Sequence, residues 1–95
     1  MMFYRVHPTR WAAPALDPHG RGALILNLRD GTWTHLNPTA TAYWVRAVNE
    51  GRPHTEAVAA VADQLGVCNE RLDTDLAPLL ADLRRRRLIT MQATS

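Results

Sequence analysis

The Asn37-Pro38 dipeptide is the sequence feature that most constrains the fold, because the local pattern changes there. The preceding stretch TWTHL, residues 32–36, alternates as a strand does, whereas PTATAYWVRAVNE, which follows it, has apolar residues at helical spacing. Asparagine is a favoured N-cap because its side chain accepts a hydrogen bond from a free amide of the first turn. Proline suits the first helical position, where no amide partner is lost. The pair therefore predicts a strand that ends at Leu36 and a helix that begins at Pro38.

Three strands are predicted on the N-terminal side of this boundary. FYRVHP alternates and is stopped by its proline, which predicts a strand over Phe3–Pro8. ALILNLR, residues 23–29, is a stronger strand pattern, and the Asp30-Gly31 pair after it predicts a tight hairpin in which both residues adopt positive φ. Residues 9–22 between the first two strands are rich in proline and glycine and are predicted to form a loop.

Three helices are predicted after the boundary, over residues 38–50, 54–65 and 70–87, with Gly51 and Gly66 ending the first two. Asn69 is the expected cap of the third helix. Pro78 lies inside that helix and is expected to bend it. The core stripe of the third helix is predicted to consist of four leucines with Leu80 beside them, namely Leu72, Leu76, Leu79 and Leu83.

The predicted fold class is α+β, with a small N-terminal antiparallel sheet of about three strands followed by three helices. The second and third helices are joined by the short turn GVCN, which makes a helix-turn-helix beside a sheet, a winged-helix-like arrangement. The last apolar stretch, LITM, is either a short closing strand or an apolar tail. The length of 95 residues predicts a single domain over residues 1–95.

Composition favours a folded cytoplasmic protein. A hydrophobic content of 46% with 21% charged residues is typical of globular chains. No apolar run is long enough to span a membrane, and the N-terminal residues lack the pattern of a signal peptide. The lone cysteine, Cys68, suits a reducing compartment.

The residues offer little for catalysis or metal binding. The only serine is Ser95. Cys68 precedes a helix N-terminus, which favours a thiolate, but its spacing from His54 does not enforce contact, and a turn or core thiol is the simpler interpretation. The four histidines are scattered, and no second cysteine completes a zinc ligand set. We therefore expect a protein that is not an enzyme and that needs no metal or other cofactor.

A DNA-binding regulator is one of two binding functions that the predicted fold suggests. Such a regulator places its third helix in the major groove, with base-reading residues near the N-terminal end of that helix. Here that end has Glu70, Asp73 and Asp75, whose charge repels phosphate. The basic run, residues 84–87, lies at the other end, where it complements the helix dipole. Nucleic acid is therefore the alternative partner and not the preferred one.

An extended peptide is the preferred partner. If no strand pairs with the far side of residues 32–36, this strand is an open edge with free amides and carbonyls. Such an edge accepts a peptide as an added strand. The third helix would then form a wall of the groove, with Leu76, Leu80 and Leu83 providing pockets for apolar side chains and the bend at Pro78 widening it.

The segment LNPTATAYW, the EG pair after it and the final LDTDLAPLLADLRRRRLI together resemble the PqqD-like family over about residues 23–89. The preceding ALILNLRDGTWTHLN is most similar to the free-standing members of lasso-peptide biosynthesis. This resemblance implies a recognition element that binds the leader segment of a ribosomally synthesised precursor peptide. It further implies that the domain does no chemistry itself. Its role would be to deliver the precursor to a separate leader cysteine protease and then to a cyclase. Neither nucleic acid nor a membrane is expected as a partner.

The resemblance also implies which residues contact the leader, which would add to residues 32–36 and lie against the third helix. Trp33 and His35 share one face of the strand and either line a pocket or shield the sheet. On the helix, Leu80 and Arg84 flank the leucine stripe, and Arg87 is a candidate partner for an acidic leader residue. The predicted peptide-binding residues are Thr32, Trp33, Thr34, His35, Leu36, Asp73, Leu76, Leu80, Leu83, Arg84 and Arg87.

Overall fold

The computed structural model describes residues 3–17 and 22–94, and the strands in this part of the chain lie in two sheets. The first sheet pairs β1 (Phe3–Pro8) with β5 (Ile89–Thr94) in antiparallel orientation. The second sheet is antiparallel throughout and has the order β2-β3-β4, with β2 at Ala12–Leu16, β3 at Ala23–Asn27 and β4 at Trp33–Leu36. Of the two interpretations of LITM, the closing strand is therefore confirmed.

The predicted three-stranded sheet is confirmed, but its first strand is β2 and not Phe3–Pro8. The prediction of a loop over residues 9–22 was wrong for Ala12–Leu16, which pairs with β3 in the register Ala13 opposite Leu26. Pro14 suggested a loop, yet β2 is an edge strand, and an edge strand tolerates proline because an amide on its open side has no ladder partner. Residues 18–21 of the predicted loop lie outside the described residues.

The hairpin between β3 and β4 is confirmed, but its loop is longer than two residues. The amide of Asn27 donates to Thr32 O at 2.8 Å, and the amide of Gly31 donates to Asn27 O at 2.8 Å. Residues 28–31 therefore form the loop. Gly31 has a φ of 74°, whereas Asp30 keeps a negative φ, contrary to the prediction. Asp30 Oδ1 instead accepts hydrogen bonds from the hydroxyl and the amide of Thr32, at 2.7 and 3.0 Å, and these lower the pKa of its carboxyl group.

Helix α1 (Pro38–Trp44) begins as predicted and continues into a π-helical turn, Val45–Asn49. Asn37 Oδ1 accepts a hydrogen bond from the amide of Ala40 at 2.8 Å, so the N-cap is confirmed. Helix α2 (His54–Leu65) ends at Gly66 with a left-handed φ of 70°.

Helix α3 (Asn69–Arg85) follows α2 after a short turn and starts one residue earlier than predicted. Asn69 is already helical, so its prediction as the cap was wrong. Cys68 occupies the N-cap position, where its carbonyl accepts from the amide of Leu72 at 3.2 Å and its side chain makes no capping bond. Pro78 lies within this helix. None of the helices in the described residues is long and apolar enough to cross a membrane.

The leucine stripe of α3 differs from the prediction at two positions. Leu80 is 5% exposed and belongs to the core, whereas Leu79 is only partly buried. The reason is the rotation of the helix, because α3 packs against α2 and β5, and this turns Leu79 outward. The largest fully buried side chains are Tyr43, Ile25, Leu36, Leu83, Leu88, Val61 and Asn27.

Replacing Pro78 by alanine is expected to stabilise the protein. Pro78 is exposed and provides no amide for the carbonyl of Thr74, which its ring also crowds. Pro78→Ala should therefore raise the free energy of unfolding by roughly 1–3 kcal/mol in urea denaturation. Ala81→Gly, an exposed position on the same helix, should lower it by about 1 kcal/mol. An unchanged value for Pro78→Ala would mean that the helix accommodates the proline without strain.

Candidate peptide-binding site

Strand β4 is an open edge of the three-stranded sheet. Within the described residues its ladder partner is β3, and no strand pairs with its other side. In an antiparallel pair, residues alternate between those that bond to the partner and those that do not. The hydrogen bond from the amide of Asn27 to Thr32 O fixes this alternation. Thr34 and Leu36 therefore bond to β3. The amides and carbonyls of Trp33 and His35 point to the open side. This edge is suited to pairing with an extended chain.

The side chains of β4 alternate between the core and the outer face of the sheet. Leu36 is 1% exposed and Thr34 is also buried, so both face the core. Trp33, which is 55% exposed, and His35 lie on the outer face. Trp33 is opposite Leu26 in the non-hydrogen-bonded register, where side chains approach closely, and it partly covers this face.

A groove of about 460 Å³ lies where the end of β4, the first turn of α1 and the middle of α3 meet. Its apolar lining comes from Ala40, Leu76 and Leu79, and its polar lining includes His35 and Asp75. We call it the β4–α3 groove. Because side chains of an extended chain alternate in direction, a chain paired to β4 would point every second side chain toward this groove.

The charges beside β4 come from the flank of α3 on which Leu79 lies. Asp75 is at the rim of the groove, 4.0 Å from Arg71 Nε. Arg86 lies at the other end of α3, where its Nη1 is 3.5 Å from Thr34 Oγ1 and its Nε is 2.9 Å from Asp82 Oδ2. The carbonyl of Arg86 also accepts from Asn27 Nδ2 at 3.2 Å, which joins the end of α3 to the sheet. Arg86 is thus the arginine of the basic run that contacts β4.

The predicted site residues of α3 are not all brought to β4. Leu76, Leu80 and Leu83 are buried in the core and offer little surface to a peptide, although Leu76 reaches the floor of the β4–α3 groove. Arg84 and Arg87 line a different cavity. Sequence reasoning missed Asp75 and Leu79, because the choice between the two flanks of the leucine stripe depends on which flank packs beside the sheet. Peptide contact by the predicted residues stays a prediction.

Asp73 is exposed, and its carboxylate reaches a hydrogen-bonded network centred on the buried ring of His54. The His54 ring is 4% exposed, with Nδ1 2.7 Å from Tyr43 Oη and Nε2 2.6 Å from Asp73 Oδ1. It also stacks on Tyr4 with 4.5 Å between ring centroids. Burial raises the pKa of the Tyr43 phenol, and the nearby Tyr4 and Asp73 raise it further, so the phenol keeps its proton. The network joins β1, α1, α2 and α3, and Asp73 contributes one hydrogen bond to it from the surface of α3.

The two groups considered for chemistry differ in exposure and in partners. Cys68 is an exposed free thiol, whereas His54 is occupied by Tyr43 and Asp73. In the described part of the chain, no three His, Cys, Asp or Glu residues are grouped so that they could hold a metal ion.

Comparison with known proteins identifies the fold. Residues 22–89, which include β3, β4 and all three helices, match the family described as Coenzyme PQQ synthesis protein D (PqqD). The solved structure of TbiB1 in complex with the TbiA(beta) leader peptide is similar, with a TM-score of 0.76 and 22% identity over 87% of this chain and 93% of that chain. No curated protein matches the chain in sequence. The predicted α+β, winged-helix-like fold is confirmed.

Proposed function

The chain belongs to the PqqD family, and on this basis we propose that it binds the leader segment of a ribosomally synthesised precursor peptide as a strand added to β4. The observation that supports this most directly is the open edge of β4 beside the β4–α3 groove. The presence of a leader peptide in the TbiB1 complex, on the same fold, also supports it.

The outward backbone groups of Trp33 and His35 would form the ladder with the leader, and these main-chain bonds would supply affinity without regard to sequence. Selectivity would come from the side chains, since alternate leader residues would face either the groove or the outer face of the sheet. An apolar leader residue would fit against Leu76 and Leu79. A cationic leader residue would suit the carboxylate of Asp75 near the C-terminal end of β4.

We propose further that the protein acts in the cytoplasm as an adaptor in lasso-peptide biosynthesis and does no chemistry itself. It would present the bound precursor to a separate leader cysteine protease and then to a cyclase. The engagement of His54 with Tyr43 and Asp73 supports a binding role, because it leaves this histidine no free nitrogen to activate a nucleophile.

The direct test is fluorescence anisotropy with the labelled leader segment of a candidate precursor peptide, chosen by a search of the neighbouring genes. We expect a dissociation constant in the micromolar range or below. Salt-sensitive binding to duplex DNA with no affinity for the leader would contradict the proposal and favour a winged-helix regulator.

Two neighbouring leucines of α3 should separate binding from folding. Leu79→Ala should weaken leader binding several-fold, because Leu79 lines the groove, and should cost only about 1 kcal/mol of stability, because it is partly exposed. Leu80→Ala should instead cost about 2–5 kcal/mol, because it leaves a cavity in the core. Leader affinity and urea denaturation of both variants provide the measurement. Equal loss of affinity in both variants would place the contact face on the predicted flank of α3.

A further inference from the structure

A second cavity, of about 600 Å³, lies at the C-terminal end of α3 beside the turn between β1 and β2. Its lining includes three arginines, one aromatic residue and two apolar residues from β5, namely Arg10, Arg84, Arg87, Trp11, Ile89 and Met91. We call it the arginine cavity. It shares no lining residue with the β4–α3 groove, so the two surfaces are available independently.

The three arginines of this cavity have no carboxylate partner among the described residues, as is also true of Arg5 and Arg29, and they differ in being gathered in one site. Arg46 and Arg52 both pair with Glu50, and Arg85 and Arg86 both pair with Asp82. By contrast, the Arg10 guanidinium lies 4.6 Å from the centroid of the Trp11 ring, and neither Arg84 nor Arg87 forms an ion pair with a described residue. Like charges gathered in one concave site favour an anionic ligand.

Arg87 has a backbone conformation that favours glycine. It follows the end of α3 with a φ of 61°, and apart from glycines it is the only residue with positive φ in the described part of the chain. The amide of Arg87 donates to Arg84 O at 3.0 Å, and the amide of Leu88 donates to Leu83 O at 2.9 Å. These two bonds form a Schellman motif. Thr9 fixes this turn through Oγ1, which donates to Arg87 O at 2.6 Å. An arginine at a strained position suggests that its side chain is needed.

We propose that the arginine cavity binds an acidic segment of a partner protein. Guanidinium groups pair with carboxylates in strong charge-assisted hydrogen bonds, and the half-buried side chains of Trp11 and Met91 suit aliphatic side chains between the acids. A duplex fits less well, because its phosphates require positive charge along an extended line. The exposed acids Glu70 and Asp75 on the same helix oppose such a line.

The test uses the complete chain labelled with ¹⁵N and a synthetic peptide of alternating glutamate and leucine. In a titration followed by NMR, we expect amide shifts at residues 9–11 and 84–91 and at the Trp11 indole, with residues 33–36 unchanged. Arg87→Gly should weaken peptide binding about tenfold, the loss of one charge-assisted bond, yet raise the midpoint of thermal unfolding because glycine relieves the strain. Arg84→Ala should weaken binding similarly.

Arg85→Ala is the matched control, because it removes the same charge from the same end of α3 but does not line the cavity. It should change peptide affinity less than twofold. The proposal is overturned if Arg85→Ala weakens binding as much as Arg87→Gly does, since binding would then follow net charge alone. It is also overturned if the peptide shifts residues 33–36 instead, or if duplex DNA binds the cavity more tightly than the peptide.

Discussion

Replacing His35 by proline is expected to remove most leader binding while the protein stays folded. The amide of His35 points away from β3, so its loss breaks no bond of the sheet. Proline is tolerated on an edge strand at such a position. An incoming leader strand would lose one main-chain hydrogen bond and would meet the proline ring where it needs to approach. Affinity for the labelled leader should fall at least tenfold, measured by anisotropy, with the free energy of unfolding within about 1 kcal/mol of the parent.

Two further variants show which part of the residue matters. His35→Ala keeps the amide and removes only the side chain, and it should weaken leader binding less than His35→Pro does. Thr34→Pro removes an amide that bonds to β3, so it should lower stability by about 2 kcal/mol or more. If His35→Pro bound the leader as well as the parent does, strand addition at β4 would be wrong.

Replacing His54 by alanine is expected to destabilise the protein by roughly 3 kcal/mol. The substitution removes the hydrogen bonds to Tyr43 and Asp73 and the ring stacked on Tyr4. It also leaves the buried hydroxyl of Tyr43 without this partner, and an unsatisfied buried polar group is costly. Urea denaturation followed by circular dichroism measures the loss.

The exposed residue His35 provides the control for this effect, because His35→Ala should change stability by less than about 0.5 kcal/mol. Asp73→Asn should cost less than His54→Ala, since asparagine keeps an oxygen that accepts from Nε2. If His54→Ala kept nearly the parental stability but lost leader affinity, a structural role for the network would be wrong. Asp73 would then be better explained as a residue of the binding surface.

Local patterns predicted the features that depend on near neighbours in the chain. The cap at Asn37, the hairpin between β3 and β4 and the extent of α2 follow from the chemistry of a few adjacent residues. They were predicted because hydrogen bonds and φ preferences of a turn or helix end are set within three or four residues. β2 was missed because Pro14 is unfavourable in most strands and acceptable only at an edge, which is a property of the sheet.

The two walls of the candidate site differ in how far the sequence could place them. The alternation of residues 32–36 was sufficient to propose β4 as the docking edge, although its openness depends on which strands are its neighbours. The predicted residues of the helical wall do not all lie beside β4, because a stripe of leucines has two flanks and the sequence does not say which one faces the sheet. In the structure Asp75 and Leu79 line the β4–α3 groove, whereas Asp73 forms a hydrogen bond to His54.

The sequence by itself thus determined the three helices, the strands β1, β3 and β4, the junction at Asn37-Pro38 and the position of the candidate edge. Only the tertiary structure decided that β1 pairs with β5, that the amides of Trp33 and His35 point to the open side, and that Arg84 and Arg87 line a separate cavity. The physical reason is the range of the interactions involved. Helix caps and turns are set by adjacent residues, whereas strand pairing and the rotation of a helix depend on contacts between residues far apart in the chain.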